Sequence, residues 1–234
     1  MTGTTKMQER GTQEFVERFS NWARVQHTFA IVLFGLLVVT GMPQKWPYLE
    51  ASRWLIDSLG GLFAVRWLHR AAGIGFTVLL VAHLTAAIAG IATRRTRPTM
   101  LLGRKDFRDA IENLKYYVGW ADKPPKFGRF DYRQKFEYWG LVFGGSIMVL
   151  SGFILLYPIV ISQVLPAELI PVAKVTHSYE ALLALLIIVI WHIAGASLTP
   201  ESFPMDTSIF SGKISKEKLR RDHALEYERL FGDE

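Results

Sequence analysis

The chain has 234 residues, half of them hydrophobic, and a formal net charge of +6. It contains no cysteine, which excludes a disulfide framework, thiolate-held iron–sulfur clusters and covalent c-type haem attachment within the chain. The cations crowd into loops between charge-free apolar runs, so the positive balance reads as membrane orientation and calls for no nucleic acid.

Residues 1–21 are polar and are expected to be partly disordered up to about Glu14. Four long apolar runs follow, at about 22–42, 68–93, 138–161 and 175–198. Each reaches the roughly 20 residues needed to span a bilayer. Inside lipid every backbone group must be paired within its own segment, so these runs are helices. The first run is too long for a signal-peptide core and follows a mixed-charge segment, so it reads as a retained anchor. Gly41-Met42-Pro43 is expected to end it. The connection after it holds Trp46, Trp54 and a short apolar stretch at 55–63. Arg66-Trp67-Leu68-His69-Arg70 then opens the second helix.

The middle loop, 94–136, carries Phe107, Ile111, Leu114 and Val118 at helical spacing, with Arg108, Glu112 and Lys115 between them. That pattern predicts an amphipathic helix from about Lys105 to Val118, lying in the membrane interface. Pro124-Pro125 ends the unit. The third span has no histidine, but Gly144-Gly145-Ser146 and Gly152 allow close backbone approach. Tyr157-Pro158 marks its end. The fourth begins near His177 and ends by Pro200. A polar tail, 201–234, is expected to hold a short helix around 215–230, with His223 solvated and the basic run 213–221 facing solvent or lipid.

Orientation follows from Lys and Arg. The leading segment has three, the middle loop twelve and the tail six, against four in the two other connections. This places both termini and the middle loop in the cytoplasm. The expected architecture is an all-α membrane protein, a four-transmembrane-helix bundle (22–200) between a cytoplasmic leading segment (1–21) and a cytoplasmic tail (201–234).

Five of the six histidines lie in or at the ends of the apolar runs: His27, His69, His83, His177 and His192. His69 and His83 are fourteen residues apart, and His177 and His192 fifteen. At about 1.5 Å per residue each pair spans roughly 21–23 Å of helix, most of a hydrocarbon core about 30 Å thick. A membrane histidine is costly without a partner and usually faces the bundle interior. Imidazoles at two depths are the layout for two non-covalent b-type haems stacked across a membrane. Zinc fits less well, because the layers are roughly 20 Å apart and no cluster of Cys or carboxylate completes either set. His69 and His177 both start their helices on the outer side and form the natural outer pair. On the inner side His192 has two candidate partners, His27 and His83. Periodicity alone leans to His83, and the histidine left over is a candidate for propionate, quinone or water.

Arg66 and Arg70 flank His69, and Arg24 lies one turn before His27. Arginine pairs well with carboxylates such as haem propionates, and equally snorkels to headgroups. Glu180, one turn after His177, is an intramembrane carboxylate and hence a candidate for proton transfer or for orienting an imidazole. Gly73 and Gly75 leave room for a flat macrocycle or for helix packing.

Four stretches, RFSNWARVQHTFAIVLFGLLVVTG, RWLHRAAGIGFTVLLVAH, RFDYRQKFEYWG and THSYEALLALLIIVIWH, give the chain a family resemblance. From about Phe19 to Pro204 it resembles the dihaem cytochrome b subunits of respiratory formate dehydrogenases and nickel–iron hydrogenases. The last two stretches look like a branch found beside multihaem c-type cytochromes and iron–sulfur proteins. The resemblance implies outer ligands His69 and His177, and inner ligands His27 and His192. His83 departs from the formate dehydrogenase pattern, so the inner partner of His192 stays open at this point. The resemblance further implies a bacterial or archaeal inner-membrane subunit that passes electrons between a periplasmic iron–sulfur or multihaem c-type partner and the membrane quinone pool. The alternative is a haem-binding anchor and conduit with no quinone site of its own. A transporter fits poorly, since four helices with one evident buried acid fall short of the usual broken-helix design.

Overall fold

The computed structural model describes residues 14–199 and 202–232. The expectation of disorder at the start of the chain falls almost wholly outside those residues. Four helices are long and apolar enough to cross a membrane: α1 (Asn21–Lys45), α3 (Gly61–Ala92), α5 (Tyr132–Leu156) and the span Leu169–Ser197. The last is built from α7 (Leu169–Leu186), a π-helical segment (Ile187–Ile193) and α8 (Ala194–Ser197). In no span is more than 17% of the most apolar window buried by protein. Apolar surface on that scale needs lipid around it. The chain is an all-α membrane protein with four candidate transmembrane helices.

α1 starts at Ser20, whose side chain accepts from the Ala23 N–H. It does not stop at Pro43 but continues to Lys45. Proline there forfeits one rung close to a helix end, where the loss is smallest. α5 starts with a reciprocal cap: Asp131 Oδ1 accepts from the Gln134 N–H at 2.9 Å, and Gln134 Oε1 accepts from the Asp131 N–H at 3.1 Å. The connection after α1 forms α2 (Glu50–Ser58), and α3 begins earlier than its charge-free run. Gly60 and Gly61, at φ of 92° and 89°, make the turn between them, a left-handed conformation that only glycine adopts at little cost. On the same side α6 (Pro158–Val164) follows α5.

The middle loop forms α4 (Arg104–Tyr117). Its polar face packs inward. Asp106 takes Lys135, Asp109 pairs with Lys105, and Asn113 donates to the Tyr132 hydroxyl. Phe107, Ile111 and Leu114 are exposed at 67%, 58% and 61%. A helix that buries its acids and exposes its apolar stripe has that stripe available for a bilayer surface.

The tail differs from expectation. It folds as α9 (Ser208–Ser211), β2 (Lys213–Ser215), α10 (Lys216–Asp222) and α11 (Ala224–Phe231). β2 pairs antiparallel with β1 (Phe15–Glu17), Val16 opposite Ile214. Ile214, Leu219 and Tyr227 form a small core with Val16 and Phe231 around it. His223 is buried, not solvated. Its Nδ1 donates to the Gly128 carbonyl at 2.8 Å, so its Nε2 is left to accept from Arg18 Nη2 at 3.2 Å. Arg18 also donates to the Arg129 carbonyl, and Arg129 Nη2 returns a bond to the Arg18 carbonyl at 2.6 Å. Arg129 and Arg229 both meet Glu226. The leading segment, the end of the middle loop and the tail are thus one clasp at one end of the bundle.

Burial and the neighbouring Arg18 charge push the His223 pKa below its usual value. Burial, then Arg129, lowers Arg18 to about 10. A lowered histidine pKa means that the open clasp takes up a proton before the closed one does. Clasp stability is therefore fully present above the free-imidazole pKa of about 6.5 and declines as pH falls below it. Hydrogen exchange of residues 213–231 is expected to be faster at pH 5.5 than at pH 7.5. His223→Leu takes one of two acceptors from Arg18 Nη2, which keeps the Arg129 carbonyl, and leaves the Gly128 carbonyl without its donor, at about 1–3 kcal/mol. It should abolish that pH dependence and expose the tail to limited proteolysis while the four spans stay protected.

Candidate functional site

The spans bring four of the five membrane histidines together as two pairs. His69 of α3 faces His177 of α7, with ring centres 6.3 Å apart and planes at 77°. His27 of α1 faces His192 of the π-helical segment, with ring centres 6.2 Å apart and planes at 48°. The second pair lies toward the clasp, the first toward the other end. A metal–imidazole bond is about 2 Å long and the ring centre lies about 1.1 Å behind its nitrogen, so two imidazoles gripping one metal have centres about 6 Å apart. Both pairs have that separation.

Hydrogen bonds fix which nitrogen keeps its lone pair. The Thr40 hydroxyl gives its proton to the Leu36 carbonyl at 2.5 Å, so it accepts from His69 Nδ1–H at 2.9 Å. The Ser151 hydroxyl gives its proton to the Ile147 carbonyl at 2.6 Å and accepts from His177 Nδ1–H at 3.0 Å. Glu137 Oε2 accepts from His192 Nδ1–H at 3.0 Å. In all three rings Nε2 keeps its lone pair. An imidazole fixed in one tautomer by a partner on Nδ1 is the usual form of a metal ligand. Thr40 and Ser151 are buried. Each is followed by a glycine whose missing Cβ makes room for the ring it braces. A Cβ on Gly41 would stand 3.1 Å from His69 Cε1, and one on Gly152 3.3 Å from His177 Cε1.

His83 is held differently. Its Nδ1 lies 3.3 Å from Gln26 Oε1 and its Nε2 3.1 Å from the Tyr138 hydroxyl. Both nitrogens are engaged by protein, and the ring packs on Tyr138. Gln26 Nε2 is buried with no hydrogen-bond partner. The π-helical segment also bears on the inner set. Its i→i+5 bonding changes the angular step around His192, so a plain 100° period does not describe which face that residue occupies.

Of the basic residues, Arg24 bonds Asn21 at 3.1 Å and lines a cavity of about 400 Å³ with Thr28, Phe29 and Phe210, its Nε buried and unpartnered. Phe210 packs edge-on against His27. Arg66 and Arg70 are exposed at the far end of α3. Glu180 Oε1 lies against α5 at Gly144, where a side chain would collide with it. Sequence reasoning missed Lys45, whose Nζ reaches Ser178 Oγ at 3.1 Å and sits 3.8 Å over the Tyr179 ring, beside His177. It also missed Thr40, Ser151, Glu137, Gln26 and Tyr138. Among these, Glu137, a carboxylate in the aromatic-rich first turns of α5, was the available signal.

Among the described residues no three metal-ligating side chains converge. The histidines come in twos, the donor set for a metal whose other positions are filled by a macrocycle. A comparison with curated proteins finds no match. The family model described as prokaryotic cytochrome b561 matches residues 18–202. That stretch runs from the buried arginine of the clasp to the end of the fourth span, and the chain belongs to the prokaryotic cytochrome b561 family, as a haem-binding membrane subunit of electron transfer with b-type haem as its cofactor.

Proposed function

We propose that the chain is a dihaem subunit of a respiratory oxidoreductase complex, carrying electrons between a periplasmic redox partner and the membrane quinone pool. The observation that carries this reading is the two imidazole pairs, with ring centres 6.3 and 6.2 Å apart, at two depths. His69 and His177 hold the outer haem, and His27 and His192 the inner one. Each haem supplies one-electron chemistry at its iron when bound. The chain fixes where that happens: Thr40, Ser151 and Glu137 hold three of the ligands in one tautomer and orientation. Arg24 at the clasp end and Lys45, Arg66 and Arg70 at the far end are the cations that would pair with the anionic haem propionates.

The excess of Lys and Arg on the leading segment, middle loop and tail puts the clasp, and both termini, in the cytoplasm. The far end, with α2 and α6, then meets an iron–sulfur or multihaem c-type partner in the periplasm. His83 falls outside the ligand set, because both of its nitrogens are spoken for. Its chain with Gln26 and Tyr138 lies at the cytoplasmic depth, where a quinone exchanges protons. With both nitrogens engaged, the imidazole would exchange a quinol or quinone proton through the Tyr138 hydroxyl, and the spare Gln26 N–H would supply a donor to a carbonyl. Quinone reduction there, with electrons from outside and protons from inside, would charge the membrane.

A pyridine haemochrome assay of the purified chain should give two b-haems per chain. His69→Ala or His177→Ala is expected to bring it to one, and normal haem content in either variant would sink the outer assignment. His83→Ala should keep both haems and slow quinol oxidation by about a hundredfold, the usual scale for losing a proton-transferring side chain. Loss of a haem in that variant would return His83 to the ligand set. Unchanged quinol oxidation would remove His83 from the quinone site, and no quinol oxidation by the wild-type chain would leave it an anchor and conduit.

A further inference from the structure

The histidine braces are unequal. At the far end, His69 and His177 donate to hydroxyls, Thr40 and Ser151, which pass their own protons to backbone carbonyls. At the clasp end, His192 donates to a carboxylate, Glu137. An ionised acceptor makes a hydrogen bond roughly twice as strong as a neutral one. It pulls the Nδ1 proton outward and so raises the electron density at Nε2. A more basic ligand favours the ferric over the ferrous state of the iron that it holds.

We propose that Glu137 is a positioning residue that acts through His192 to lower the potential of the inner haem below what a neutral acceptor would leave it. This rests on the reading of His27 and His192 as its ligands. Glu137 is well placed to hold one geometry. It lies in the first two turns of α5, anchored by the Asp131–Gln134 cap and by Lys135, which reaches both oxygens of Asp106 at 2.8 and 3.0 Å. The residue after it, Tyr138, is tied to His83. Helix α5 itself carries no histidine. Its contribution to the inner site is this carboxylate, delivered across the bundle to the last span.

The test is a spectroelectrochemical titration of the full chain in detergent, alongside haem counting. Wild type should hold two haems with two resolved midpoints. Glu137→Gln keeps a carbonyl acceptor but removes the charge. It should retain both haems and shift one midpoint positive by about a tenfold change in the ferric-to-ferrous ratio, about 59 mV for one electron, with the second unmoved. Glu137→Asp should return that midpoint toward wild type. Two haems with both midpoints unchanged in Glu137→Gln would overturn the proposal, as would equal shifts of both. If Glu137→Gln sheds a haem, Glu137→Asp decides: both haems at wild-type midpoints support the role of the charge, and the same loss refutes it. Fewer than two haems in wild type would instead overturn the dihaem reading, and this proposal with it.

Discussion

An imidazole has two nitrogens, and between apolar helices each must find a partner. That constraint organises the membrane part of this protein. In three rings one nitrogen is tied to a neighbouring helix: His69 to Thr40, His177 to Ser151, His192 to Glu137. Each of these rings also stands against another histidine, with ring centres 6.3 or 6.2 Å apart. In His83 both nitrogens are consumed by Gln26 and Tyr138. Four similar residues on similar helices are thus held in two different ways by what stands behind them.

The helices are paired to serve these braces. α1 supplies Thr40-Gly41 to the histidine of α3, and α5 supplies Ser151-Gly152 to the histidine of α7. A hydroxyl to hold the ring, followed by a glycine to let it lie close, occurs once in each half of the chain. The halves diverge at the other depth. There α1 provides a histidine of its own, His27, while α5 provides Glu137 and Tyr138. The far-end site is therefore built twice in the same way and the clasp-end site is asymmetric.

The clasp adds a second kind of order. The tail and the leading segment share a small apolar core, Ile214, Leu219 and Tyr227 with Val16 against them, and the middle loop joins them through Gly128 and Arg129 around a buried arginine–histidine contact. Arg18 and His223 are 205 positions apart and meet in burial, each also held by a carbonyl of the middle loop. The clasp closes directly over the start of α1, where Gly212 packs against Arg24 and Phe210 reaches the ring of His27. Folding of the tail is in this way connected to the environment of the inner pair.

Much of this was legible in the sequence. Span length, the absence of charge and the crowding of Lys and Arg are local properties, and lipid enforces helix on any such run. The stripe Phe107, Ile111, Leu114 is equally local, and it forms a helix where its period says it does. Histidine at two depths follows from rise per residue alone. What could not be read were relations between helices. Whether His27 or His83 faces His192 depends on the rotation of three spans and on a π-helical turn that resets the angular step. The importance of Thr40, Ser151 and Glu137 arises only when a neighbouring span brings an imidazole to them. His223 sits in a polar stretch and looked solvated, because nothing near it in sequence shows that Arg18 and Gly128 close over it. The sequence by itself determined what must lie in lipid and at what depth its imidazoles lie, since both follow from one segment and its solvent. Only the tertiary structure decided which nitrogens are left for a metal, because a tautomer is fixed by partners that the chain supplies from far away.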